Sequence, residues 1–504
     1  MVNDFIYVKP EEEGLSSKQI IKFIDLIEEY KINLHSFMMV RRGKIVAESY
    51  YPPFHKDFAH RLYSSSKTFV AMAIGKLIEE GRIKLDDKLV DFFPEFLERE
   101  QDLYMQECTV ENALTMSVPI LTDSYFKPRE KANDPLTYYK DWTWTFFNCH
   151  KSLKPAGTIF NYNTSGTFLL SVLVEKLTGK TFLEYLRPVF DKIGIRKDIW
   201  CVKSPDGYAW GGSGVVCTTQ DFAKFAELIM YKGNYKGEQV LPREYMELAT
   251  SKRVYSVTAN DYTLKKALGY GYQIWIQKTG FALLGMGCQV AFCFPDKEFL
   301  FVCTGDTQST SDDCDPDKVY SFVKEQIYET IQENPLEKNE QDYTQLQNRL
   351  KSLHLPLGFG EKSSRYMEEY NGVKYRLNAN PMGWKWLQFD FNGEQGVLTY
   401  ENERGVKKIA FGFEKYVKST FPETHYYGKQ VDVPSNREFD CICSASWVED
   451  RKILLRVYII DTSLGNCFMT FGFKKDQIGV YMSKKAEFFM DEYSGYACGK
   501  ISIS

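Results

Sequence analysis

A polar, charged stretch at Glu333–Asn348 splits this chain of 504 residues into two parts with different rhythms. Before it, apolar residues recur at helical and at strand spacing in turn. After it only strand-like segments follow: Tyr375–Leu377, Trp386–Phe391, Gly396–Tyr400, Lys408–Phe413, Phe439–Val448, Ile453–Ile460, Cys467–Phe473 and Gly479–Tyr481. Turns such as Asn392-Gly393 and Glu449-Asp450 separate them. A break of this kind excludes a single repetitive fold. We expect an α+β domain over residues 1–335, a linker at 336–350, and a small all-β barrel or sandwich over 351–504.

Within the first part, residues 14–31 read as a capped amphipathic helix. Ser36–Val40 and Lys44–Tyr51 read as strands joined at Arg41-Arg42-Gly43, a hairpin signal. A helix from Thr68 to Glu80 places Phe69, Val70, Ala73, Ile74, Leu77 and Ile78 at helical spacing, with Gly81 as its stop. Residues 119–155 look long and irregular, and their aromatic run Trp142–Phe147 could wall a cleft or pack in a core. A second apolar helix ends at Gly179, and a third begins near Thr219. Gly269–Ile276, Phe281–Phe294 and Glu298–Thr304 read as an antiparallel meander closed by a helix at Asp317–Gln332.

The net charge of −4 and the absence of any block of five basic residues argue against nucleic acid as a partner. The six histidines form no His-x-x-x-His pair. Cys441-x-Cys443 has strand spacing that suits core packing better than a metal, so no metal and no cofactor are expected. The N-terminus lacks a basic region followed by an apolar core, and no apolar run approaches the roughly 18 residues a membrane span needs. Twelve cysteines then read as reduced thiols, and the expected compartment is the cytoplasm, with no membrane partner.

Chemistry concentrates at Ser64-Ser65-Ser66-Lys67. Ser64 and Lys67 lie three apart at the start of a helix, so a hydroxyl and an amine share one face beside free N–H groups. Ser-x-x-Lys alone is weak evidence, because Ser124/Lys127 and Ser321/Lys324 repeat it. His60, four before Ser64, could mimic a Ser–His pair, but no Gly-x-Ser-x-Gly elbow supports that. Gly179-Lys180-Thr181 lacks the first glycine of a P-loop and is set aside.

Order decides the matter. Arg61–Lys67, Glu79–Asp87, Thr109–Met116, Gly157–Gly166, Gly212–Asp221, Gly269–Trp275 and Gly285–Pro295 follow one another. Together they resemble the class C β-lactamase-related serine hydrolases: penicillin-binding-protein-like esterases, peptidases and 6-aminohexanoate-dimer hydrolases. The resemblance spans about residues 8–332. It implies a β-lactamase/transpeptidase-like domain, a helical subdomain on an antiparallel sheet with the active site at their junction. It also implies Ser64 as nucleophile, Lys67 as its base and Tyr162 as proton relay.

Two departures matter. The family's second motif is usually Tyr-x-Asn, whereas this chain has Tyr162-Asn163-Thr164, so Thr164 replaces the amide and Asn163 is displaced by one residue. The third motif, usually Lys-Thr-Gly or His-x-Gly, has two candidates. Lys278-Thr279-Gly280 is literal but falls in an expected turn. Aligning Gln289 and Pro295 with the family puts Met286-Gly287-Cys288 there, and this is the favoured choice. Thr164, Met286, Gly287 and Cys288 then become the expected substrate contacts, Cys288 itself reading as a packed strand residue. Backbone N–H groups of Ser64 and Gln289 would form the oxyanion hole.

Without a cation from that strand, the expected substrate is a small neutral ester or amide, cleaved through an acyl-enzyme, rather than a penicillin. The contrasting reading is a catalytically weak or inactive scaffold that keeps the fold. The sequence leaves open a homo-oligomer and the role of the all-β part.

Overall fold

The computed structural model describes residues 5–98, 100–120, 139–256, 268–307, 315–423, 438–486 and 495–502. The chain forms two units that divide between Leu355 and Pro356.

The first unit is built on an eight-stranded sheet. Its order is Ile6–Tyr7, Lys44–Tyr50, Leu34–Arg41, Phe299–Gly305, Gln289–Phe294, Gly280–Gly285, Trp275–Gln277 and Gly269–Tyr270, antiparallel except at the first pair. The expected hairpin is present, with Arg42 and Gly43 both at positive φ, as a tight turn between twisted strands requires. Leu34–Arg41 is buried at all eight positions, so the sheet is covered on both faces. The Ser17–Glu29 helix covers one face, where Phe23 meets Phe37 and Phe301 edge-on at 5.6 and 5.4 Å. The Thr219–Met230 helix covers the other, with Cys293 Sγ against the Ala226 carbonyl. Each fully buried Phe or Leu in these layers contributes about 1.5–3 kcal/mol.

Three expectations change. The apolar run Phe281–Phe294 is two strands rather than one, because Gly287 and Cys288 take positive φ and turn the chain between Gly285 and Gln289. The closing helix is irregular: α over Asp315–Phe322, π over Val323–Ile327, 3-10 over Tyr328–Thr330. Its buried Val319, Val323, Ile327 and Ile331 repeat every four residues, wider than the α-helical 3.6, and a π turn keeps them on one side. The stretch taken for a linker carries a helix, Glu340–Ser352, which belongs to the first unit. Arg349 ties it to Asp25 and Glu28, at 2.7 Å each, and Leu346 is buried.

The second unit is all-β. Ten strands run in sequence around a sheet that closes on itself where Gly412 and Phe413 pair in parallel with Ser444 and Ala445. The eight expected strands are present, seven with wider bounds and one shifted by a residue to Asp440–Glu449. Val417–Thr420 and Gly495–Ile501 are additional. The interior is filled: Trp384 stacks on Tyr400 at 4.0 Å, and Phe389 meets Phe471 edge-on at 4.9 Å. Cys441 and Cys443 are buried in this packing.

Among the described residues, no helix is long and apolar enough to cross a membrane, and no cluster of three metal-ligating side chains occurs.

Candidate active site

Tyr63–Ser65 form a 3-10 turn that runs directly into the helix Ser66–Glu79. Tyr63 itself takes φ +48°, a conformation that bulky residues rarely adopt. Arg61 holds it: the guanidinium lies between the rings of Tyr63 and Trp210, 4.7 and 4.8 Å from their centroids, and donates to the Ser213 carbonyl at 2.8 Å. Three consecutive serines then point three ways. Ser65 Oγ donates to the Gln289 carbonyl at 2.8 Å, fixing the turn to the sheet. Ser66 Oγ accepts from Val215 N at 2.9 Å, fixing it to a short ribbon of His60–Arg61, Val215–Cys217 and Trp200–Cys201. Ser64 Oγ receives Lys67 Nζ at 3.0 Å.

Lys67 is 1% exposed, and its amine also donates to the Gly212 carbonyl at 2.6 Å. Both partners, a hydroxyl and a carbonyl, accept from the amine and hold it against the Ser64 oxygen. Gly212 has to be glycine for this approach, since a Cβ there would sit 2.4 Å from Thr164 Cγ2. Tyr162 comes from the loop before the Thr164–Thr178 helix. Its ring centroid lies 5.0 Å from Lys67 Nζ, and the ring stacks on Trp275 at 5.7 Å and 17°. Ser64, Lys67 and Tyr162 are therefore brought together from two distant stretches.

The flanking candidates divide. Asn163 is buried and caps the helix, its amide oxygen accepting from Ser165 N and Gly166 N. Thr164 is the first helical residue, with its methyl towards Gly212. Met286 and Gly287 lie on the turn into Gln289, next to the nucleophile's segment, and Met286 is partly exposed. The Cys288 thiol is turned into the core, 3.7 Å from Cys303 Sγ, so this residue can offer a substrate only its backbone. Lys278-Thr279-Gly280 sits at the other end of the Gly280–Gly285 strand, roughly 16 Å away along it. There Lys278 is exposed and Thr279 meets Tyr320 OH at 2.8 Å. His60 does not serve Ser64 either: its Nε2 lies 3.0 Å from His35 Nδ1 in a buried pair. Of the other Ser-x-x-Lys matches, Ser124/Lys127 lies outside the described residues. Lys324 pairs with Glu329 on the surface. Trp142–Phe147 is largely buried helix, with Trp142 packed edge-on against Trp210.

Gly285 closes the site from the sheet side. A Cβ on it would fall 2.1 Å from the Leu62 carbonyl and 3.0 Å from that of Gln289. Gly285→Ala should therefore push the strand off the Ser64 turn, at a cost of about 1–3 kcal/mol. Thermal denaturation should show the loss, and an unchanged Tm would mean the turn yields instead.

Compared with known proteins, residues 22–317 match the sequence profile of the family described as Beta-lactamase. The chain belongs to the β-lactamase family. A 6-aminohexanoate-dimer hydrolase of Paenarthrobacter ureafaciens is 25% identical over 228 residues. That match covers 42% of this chain and 56% of the relative, so the chain spans only about half the length of this curated relative. Two solved structures are similar in fold. A Bacillus anthracis protein assigned as a 6-aminohexanoate-dimer hydrolase superposes with a TM-score of 0.51 at 19% identity, over 64% of this chain and 86% of that one. A Bacteroides dorei protein assigned as a β-lactamase gives 0.50 at 16% identity, over 62% and 98%. The described residues within the matched stretch 22–317 fall within the first unit.

Sequence reasoning missed the Gly212 carbonyl, the clamp made by Arg61, and the separate duties of Ser65 and Ser66. The triple serine was the visible signal. A carbonyl partner leaves no mark in a sequence.

Proposed function

We propose that this protein is a serine hydrolase that cleaves a small neutral ester or amide through an acyl-enzyme on Ser64. The observation that carries this reading is the 3.0 Å contact between Ser64 Oγ and the buried Lys67 amine, with that amine also tied to Gly212. Lys67 takes the hydroxyl proton as Ser64 Oγ forms its bond to the carbonyl carbon. The carbonyl oxygen becomes an oxyanion held by the backbone N–H groups of Ser64 and Gln289. As the bond to the leaving alcohol or amine breaks, Tyr162 passes it the proton and is recharged from Lys67. Water then adds to the acyl carbon, gives its proton back through the same groups, and frees the carboxylic acid and Ser64. Thr164, Met286 and Gly287 line the substrate's path. A turn bearing an apolar methionine and no cation suits an uncharged substrate better than a carboxylate-bearing one. The C-terminal barrel acts as an accessory unit.

A fluorophosphonate probe tests the reading without knowledge of the natural substrate. The expected result is one adduct, mapped by peptide mass to Ser64 and lost in Ser64→Ala. An unlabelled protein would favour the scaffold reading. Nitrocefin turnover as fast as that of simple esters would overturn the substrate class.

A further inference from the structure

Resting on that reading of Ser64 and Lys67, we propose that Gln273 is a positioning residue that sets the distance between the base and the proton relay. Gln273 lies in the turn between the Gly269–Tyr270 and Trp275–Gln277 strands, is 3% exposed, and adopts φ +61°. Glycine would take that conformation freely, and glycines stand at positions 269 and 271, yet here the chain carries a long amide. Every part of that amide is used. Nε2 donates to the carbonyls of Ala113 and Leu114, at 2.9 Å each, and Oε1 accepts from Thr167 Oγ1 at 2.8 Å. Its backbone N–H donates to Leu114, and its carbonyl accepts from Thr68 Oγ1 at 3.1 Å.

These partners belong to the elements that carry the proposed chemistry. Thr68 follows Lys67 on the same helix. Thr167 is in the first turn of the helix that Tyr162 precedes. Ala113 and Leu114 end a short helix whose continuation brackets Tyr162: the Met116 carbonyl accepts from Asn161 N, and Met116 Sδ accepts from Asn163 N. Two residues beyond Gln273 comes Trp275, the ring on which Tyr162 stacks. One side chain and its peptide therefore join the base's helix, both supports of the relay and the ring beneath it. Gln273 touches none of the proposed reacting atoms itself. Its effect would be on geometry, and geometry of this kind governs rate more than binding.

The experiment follows fluorophosphonate labelling over time in wild type, Gln273→Leu and Thr167→Val, well below each variant's Tm. Gln273→Leu deletes all three side-chain bonds, while Thr167→Val removes only one and should fold normally. If Gln273 sets geometry, the maximal labelling rate constant falls at least tenfold in Gln273→Leu and about threefold in Thr167→Val. Probe affinity and the final labelled fraction should stay near wild type. A purely structural role would instead lower the labelled fraction and leave the rate constant alone, and that result overturns the proposal. Should Gln273→Leu fail to fold, an unchanged rate constant in Thr167→Val overturns it equally. A wild type that takes no label would overturn the parent reading along with this one, whereas a labelled wild type with unaltered variants overturns this one alone.

Discussion

Lys67→Met is expected to slow reaction at Ser64 by roughly 10³-fold or more while leaving the protein folded. Methionine fills nearly the same channel but cannot accept a proton, so the variant isolates the base from the packing. A positioned general base typically supplies 10²–10⁴-fold, and here the same amine also recharges the relay, so about 4 kcal/mol of transition-state stabilisation should vanish. Stability should hold or rise, because a buried amine is exchanged for an apolar chain, though the Gly212 carbonyl loses its 2.6 Å donor. The measurements are the fluorophosphonate rate constant and Tm, taken side by side. Labelling within tenfold of wild type would mean that another group removes the Ser64 proton.

A second large effect concerns acid. The first unit should lose stability steeply as pH falls below about 6.5, before most carboxylates are protonated. His35 and His60 form a buried pair, with His35 stacked on Phe54 at 3.7 Å. Burial holds His60 down to about 3 and His35 well below the usual imidazole range. The folded protein therefore binds fewer protons than the unfolded chain, whose histidines titrate near 6.5. Their contribution is complete above that pH and drains away as pH drops towards the folded values. Each ring costs ~1.4 kcal/mol per pH unit, so at pH 5 the pair should remove about 4 kcal/mol. Urea midpoints at pH 7.5, 6 and 5 measure this. His60→Gln should lose about half of the slope, and an unaltered slope would assign the acid sensitivity elsewhere.

The legible and the hidden parts of this protein separate on physical grounds. That Ser64, Lys67 and Tyr162 would lie together was legible because side-chain chemistry at fixed spacing combined with motif order. The reassignment of Asn163 followed from its position one residue before a helix, where an amide oxygen caps free N–H groups. The turn at Met286–Cys288 was read as strand because nothing in an apolar run announces a cysteine at positive φ. Glu340–Ser352 passed for a linker because a helix that buries only Leu346 among its side chains shows almost no apolar stripe. Val417–Thr420 has one apolar residue, and Gly495–Ile501 contains two glycines, so neither looked like a strand. Gln273 left no signal at all, since its worth lies in carbonyls supplied by other segments.

The crowded interior of the C-terminal ring decides where novelty can arise in that unit. Among the described residues, tryptophan, tyrosine and phenylalanine rings pack on one another in its interior and leave little room there for a small molecule. Changes at inward positions would register as altered melting and poor yield, never as a new preference for a ligand. Changes on its outer wall, by contrast, should carry little penalty in stability.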